Sequence, residues 1–261
     1  MTPALPMTDW IFSAALARSS RPRDTCLSER ADHTARVRTS RCLSGAFLIT
    51  VCLLPSSCSR PPEAGDARGP AASVELPAVE ANELRPLSAF TAVPAGPARA
   101  AALFTEASRV LVHPRCINCH VQGDSPAQGM AFERHEPPVV RGAEDRGVVG
   151  MECSGCHQDR NLELARVPGA PDWRLPPRVM AWAGRTPEQL CEQLKDAERN
   201  GGRTLAEVVD HAGHDAFVAW GWAPGADRIS APGSQQEFAA ILAGWVDNGG
   251  ACPTKDGVSD G

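Results

Sequence analysis

Four of the ten cysteines fall in two copies of one short pattern, Cys116-Ile117-Asn118-Cys119-His120 and Cys153-Ser154-Gly155-Cys156-His157. Each reads C-x-x-C-H. Two thiols three positions apart can each add to one of the two vinyl groups on the edge of an iron porphyrin. The histidine that follows then lies under the metal and offers it a ring nitrogen. This is the attachment sequence of c-type haem. Paired C-x-x-C motifs also serve four-cysteine zinc sites, but zinc has no need of a histidine after both pairs. Two copies starting 37 residues apart therefore predict two covalently bound haem c groups. Cys116, Cys119, Cys153 and Cys156 would be the attachment points, and His120 and His157 the proximal iron ligands.

The sixth iron ligand does not follow from spacing. A cytochrome iron takes methionine or a second histidine there, and methionine raises the potential. The folded part offers Met130, Met151, Met180, His113, His135, His211 and His214. Met180 follows the double proline Pro176-Pro177 and precedes a capped helix, an arrangement that resembles the methionine loop of small class I cytochromes c. It is expected to serve the second haem. His135, in a polar stretch 15 residues after His120, is expected to serve the first. His211 and His214 share one helix face; His214, beside Asp215, is the preferred one and could complete either haem. His113 sits too close to Cys116 and is read as a hydrogen-bonding residue. Trp173, Trp182, Trp220, Trp222 and Trp245 are expected to pack round the haems as core side chains.

Charge divides the chain. Residues 1–58 carry seven Arg against four acidic residues, whereas residues 99–261 carry 16 basic and 22 acidic. An acidic folded part excludes nucleic-acid binding, which needs a basic face against phosphate. A basic patch on a redox partner is the natural complement. Residues 42–54 form an uncharged apolar run after Arg38 and Arg41, too short for a comfortable membrane span and right for a signal-peptide core. Leu54-Pro55-Ser56-Ser57-Cys58 resembles a bacterial lipoprotein cleavage box with Cys58 as the lipidated residue, though Pro55 departs from the usual aliphatic residue. Plain secretion to the periplasm is the alternative. Residues 1–36 are Arg/Ser-rich and unlike a signal-peptide start, and one hypothesis is that translation begins at Val37. Residues 59–98 are rich in Pro, Ala and Glu and read as a disordered tether. Residues 99–254 form the dihaem domain, and residues 255–261 a disordered tail.

The elements that must hold the motifs are helical. Ala102, Leu103, Phe104, Val110 and Leu111 mark one side of a helix ending before Pro114. Three more helices begin at capping boxes: Thr186 with Gln189, Thr204 with Glu207 and Ser234 with Glu237. The first of these is expected to run to Asn200-Gly201-Gly202. Period-two strand patterns are nearly absent, so the fold class is mostly α: a cytochrome c-like dihaem domain with long loops and few or no strands. Within it Cys191 and Cys252 are the only cysteines outside the motifs, and an oxidising compartment would pair them; two buried thiols are the alternative.

Several phrases resemble bacterial haem proteins labelled isoquinoline 1-oxidoreductase-associated subunits. These are His113-Pro114-Arg115-Cys116, His135-Glu136-Pro137-Pro138-Val139, Trp173-Arg174-Leu175, Asn200-Gly201-Gly202 and Trp220-Gly221-Trp222. The resemblance spans about residues 105–253. It implies an exported electron-transfer protein working between a periplasmic dehydrogenase of the molybdenum-hydroxylase type and a downstream acceptor. The chain itself carries no flavin, molybdopterin or nucleotide motif, so it is not expected to be the enzyme. A small dihaem peroxidase, with Glu133, Glu136 or Glu144 as acid/base group, is the enzymatic alternative. A zinc-binding interaction module is the third.

Overall fold

The computed structural model describes residues 74–254. The apolar run, Cys58, Val37 and residues 255–261 lie outside the described residues. Four helices carry the core. Helix α1, Pro97–Leu111, starts with proline at its first turn, where no intrahelical amide is lost; Gly96 precedes it at φ 92°. Its Ala100, Leu103, Phe104, Ala107, Val110 and Leu111 recur at helical spacing and are buried. The short helix α2, Pro114–Ile117, then opens the first motif, and α3, Cys153–Cys156, lies within the second.

Helix α4, Pro187–Lys195, and α5, Leu205–His214, begin at complete capping boxes on Thr186 and Thr204. After the single turn α6, Ala216–Ala219, comes α7, Gln235–Asp247, capped by Ser234. There the reciprocal half of the box differs: the Ser234 hydroxyl itself donates to the Glu237 carboxylate at 2.9 Å. The buried faces of α1, α4, α5 and α7 form one core, in which Trp245 is fully buried and meets Phe104 edge-on at 4.9 Å. The indole NH is satisfied by the Ala251 carbonyl at 3.0 Å, as a buried polar group must be. Cys191 is bonded to Cys252, with their Cα atoms 5.5 Å apart. That bond ties α4 to the chain beyond α7.

Among the described residues, strand is confined to two antiparallel hairpins of two-residue strands. One pairs β1, Ala127–Gln128, with β2, Glu133–Arg134; the other pairs β3, Gly147–Val148, with β4, Met151–Glu152. The protein is thus dominated by helix with few strands. No described helix is long and apolar enough to cross a membrane.

Two expectations need correction. The described part of the 59–98 segment is ordered against the core: Leu84, Phe90 and Val93 are buried, and residues Leu87–Ala92 form a 3-10 turn. Its physical anchor is Glu106, 3% exposed on α1, whose carboxylate is met by Arg85 at 2.5 Å and Arg109 at 2.7 Å. A buried charge requires such partners. The α4 helix also ends at Lys195, short of Asn200. There Asp196 turns the chain, accepting from the Glu198 amide at 3.0 Å and from Arg199 Nε at 2.6 Å.

Candidate functional site

Each motif histidine is fixed twice, by a backbone carbonyl and by a tryptophan. His120 Nδ1 lies 2.7 Å from the Met180 carbonyl, and His157 Nδ1 lies 2.8 Å from the Pro168 carbonyl. A carbonyl only accepts, so Nδ1 carries the proton and Nε2 presents its lone pair. The His120 ring stacks on Trp182, centroids 3.3 Å apart and planes 7° off parallel. His157 stacks on Trp173 at 4.5 Å and 4°. Histidines that bind metal are commonly oriented in this way through their other nitrogen. The tryptophans therefore do more than fill the core.

The chain builds each carbonyl with local geometry. Residues Arg178–Met180 form a 3-10 turn after Pro177, and the amides of Trp182 and Ala183 close back on the His120 carbonyl at 2.9 and 3.1 Å. The other loop passes Gly169, where a Cβ would stand 2.3 Å from the Arg160 carbonyl oxygen and 2.4 Å from that of Gln158. Only glycine fits beside Pro168.

Burial lowers the His120 pKa to about 4, against a smaller opposing effect from the Met180 carbonyl and a lowering by His211. His157 is also lowered, first by desolvation. Both imidazoles are thus held neutral, the form that ligates metal. Desolvation pushes the Cys116 thiol up to about 12 and Cys119 to about 11. None of the four motif thiols is in a disulfide.

A cavity opens at each motif. The first, about 370 Å³, is bordered by Cys116, Cys119 and His120 and walled by core residues including Val208, Phe238 and Leu242. The second, about 590 Å³, is bordered by Cys153, Cys156 and His157. Both fall in the size range of cofactor pockets. They share Arg115, Cys119, Arg174 and Trp220 as a common wall, so the two sites adjoin.

The second cavity suits an anionic group. Arg115 and Arg228 both border it, and among the described residues neither forms an ion pair with a carboxylate. Arg115 donates instead to the Ile229 carbonyl at 2.7 Å and lies over the Trp220 ring. Its pKa is lowered by desolvation and by the Arg228 charge. Arg141, buried on the same wall, leaves Nε without a hydrogen-bond partner, with the Asp124 carboxylate at 3.7 Å. Porphyrin propionates are the kind of anion that such donors take up. The residue types thus fit haem: thiols and a neutral imidazole at each cavity, with two arginines that have no carboxylate partner, Arg115 and Arg228, beside the larger one. Arg115 adjoins Cys116 in sequence and could have been noticed; nothing in the sequence marks Arg228.

The other candidates are distributed differently from the sequence expectation. His135, expected near the first motif, lies on the second cavity, its ring centroid 6.0 Å from that of His157. Met180, expected at the second, borders the first, because its own carbonyl is the one that holds His120. His211 borders the first cavity, with Nδ1 3.4 Å from Asp215. His214, 80% exposed and 2.9 Å from Asp210, borders neither. The helical turn between them explains the split: three residues advance about 300°, which leaves the two side chains on neighbouring but separate rows. His113 accepts from the Arg115 amide at 3.2 Å and caps α2. Met130 is exposed and contacts Arg115. Glu133 and Glu136 border the second cavity; Glu144 does not.

Among the described residues no three His, Cys, Asp or Glu side chains converge as a metal-binding group. In comparisons with known proteins, no family model, no curated protein and no solved structure matches the chain.

Proposed function

We propose that this chain is a dihaem c-type cytochrome that passes single electrons. The observation that carries the reading is the pair of C-x-x-C-H histidines. Each has Nδ1 committed to a carbonyl and its ring laid on a tryptophan, at the edge of its own cavity. Cys116 and Cys119, and Cys153 and Cys156, would hold the two haems covalently, with His120 and His157 as proximal ligands. Haem supplies one-electron redox chemistry when bound. The chain's part is to orient the imidazoles, to keep them neutral, to line the smaller cavity with core side chains, and to set Arg115 and Arg228 against the propionates.

The wall shared by the cavities favours rapid exchange between the two sites. The fold would then be a cytochrome c-like domain, and the protein would be exported to the periplasm with Cys58 as its lipid anchor. The acidic composition suits basic surfaces on the partners. The resemblance to isoquinoline 1-oxidoreductase-associated subunits points to a periplasmic dehydrogenase as donor.

Two adjoining haems influence each other's potential. A spectroscopic redox titration of the fully loaded protein will therefore show two one-electron steps, or one step broadened beyond a single one-electron curve. A single sharp one-electron step on protein with both haems attached would contradict this. Glu133 and Glu136 on the second cavity keep a peroxidase as the second reading, and turnover of hydrogen peroxide by the matured protein would promote it.

A further inference from the structure

The ring beside that of His157 belongs to His135. His135 stands on a loop that leaves β2, and its Nδ1 is 2.8 Å from the Pro137 carbonyl. His157 Nδ1 is held in the same way by Pro168. In the neutral form of each ring the proton then lies on Nδ1, because a carbonyl only accepts, and Nε2 is left with its lone pair. Their centroids are 6.0 Å apart with the planes 58° from one another. Two histidine–metal bonds of about 2 Å placed in line, each extended by about 1 Å from nitrogen to ring centre, would put the centroids about 6 Å apart. The angle between the planes is no obstacle, since trans imidazoles turn independently about their shared axis. Both rings border the same cavity.

We propose that His135 is the sixth ligand of the second haem, opposite His157, so that this site is bis-histidine. The inference rests on the dihaem reading and deepens it. Met151, the methionine on the same cavity, is less suited. It lies on β4 two residues before Cys153, on the strand that delivers a thiol to the porphyrin edge.

The position of His135 depends on the other motif. Asn118, between the thiols of the first site, accepts from the Ala127 amide through its carbonyl at 2.8 Å and donates from Nδ2 to the Gly129 carbonyl at 2.8 Å. The hairpin so anchored ends at Arg134, and Gln128 holds the next residue but one, Glu136, through its amide at 3.1 Å. The ligand for one haem is thus hung from the attachment loop of the other. A closed sixth position also makes the second haem an electron carrier rather than a peroxide-binding site, and histidine in place of methionine sets its potential lower.

The test compares the natural protein with His135→Ala and His214→Ala, all matured in a host competent in haem attachment. Haem number is read by mass, and ligation by low-temperature EPR and near-infrared magnetic circular dichroism. The natural protein should show at least one low-spin bis-histidine haem. His135→Ala should retain both haems, lose one haem equivalent of that signal and gain a high-spin one; added imidazole should restore the low-spin state. His214→Ala should match the natural protein. A natural protein without any bis-histidine haem overturns the assignment, even if His135→Ala does not fold. So does a His135→Ala spectrum identical to the natural one. A product lacking haem altogether overturns the cytochrome reading, and this inference with it.

Discussion

Replacing Cys153 and Cys156 together by serine is expected to leave a protein with one covalent haem in place of two. A serine hydroxyl does not form the thioether, so denatured protein would lose the whole mass of one haem. The first site should keep its own, because its cavity is walled by α5 and α7 core residues that owe nothing to the second motif. The fold should survive as well: Ser154, Gly155 and Cys156 are exposed and α3 contributes no buried residue. The converse variant, Cys116→Ser with Cys119→Ser, is expected to be harsher. It leaves an unfilled apolar space beside Leu242 and Phe238, where lost packing is costly. Mass analysis under denaturing conditions reads both results. A double-serine variant at 153 and 156 that still carried two covalent haems would contradict the assignment of those thiols.

Removing the Cys191–Cys252 bond, by Cys191→Ala with Cys252→Ala, is the second large effect. The bond closes a loop with a sequence separation of 61 residues. Chain-entropy reasoning assigns such a loop about 4 kcal/mol of stabilisation. For a domain of this size that corresponds to a fall in Tm of about 8–16 °C. The cost includes packing, because Cys191 is fully buried in the common core. Calorimetry of the loaded variant checks it, and haem number should stay at two. A Tm within about 2 °C of the natural protein would show that the bond constrains little.

The sequence made some parts of this architecture legible and hid others, for identifiable reasons. Thr186 and Thr204 announced α4 and α5 because a capping box is a local, side-chain signal. Helix α1 was visible from its apolar spacing. Hidden were the residues before it. Leu84 and Phe90 are isolated apolar side chains among prolines, and no period connects them; their order comes from Arg85 reaching a buried Glu106 across 21 positions.

At the site, the motif residues stood out because covalent chemistry fixes their spacing. The groups that orient the two imidazoles did not, since the Met180 and Pro168 carbonyls are backbone and any residue could supply them. Trp173 and Trp182 could be read only as packing, because nothing local tells a stacking indole from a core one. His135 and Met180 went to the opposite cavities from those expected. Order along the chain says little when a hairpin anchored on Asn118 carries one histidine over the neighbouring site.

Whether the chain carries haem at all is decided by the mass of the protein matured in a periplasm competent in haem attachment. The expected mass is that of the polypeptide plus two haems, retained through denaturation and lost one at a time with each pair of thiols. A mass equal to the amino acids and any attached lipid alone would contradict it.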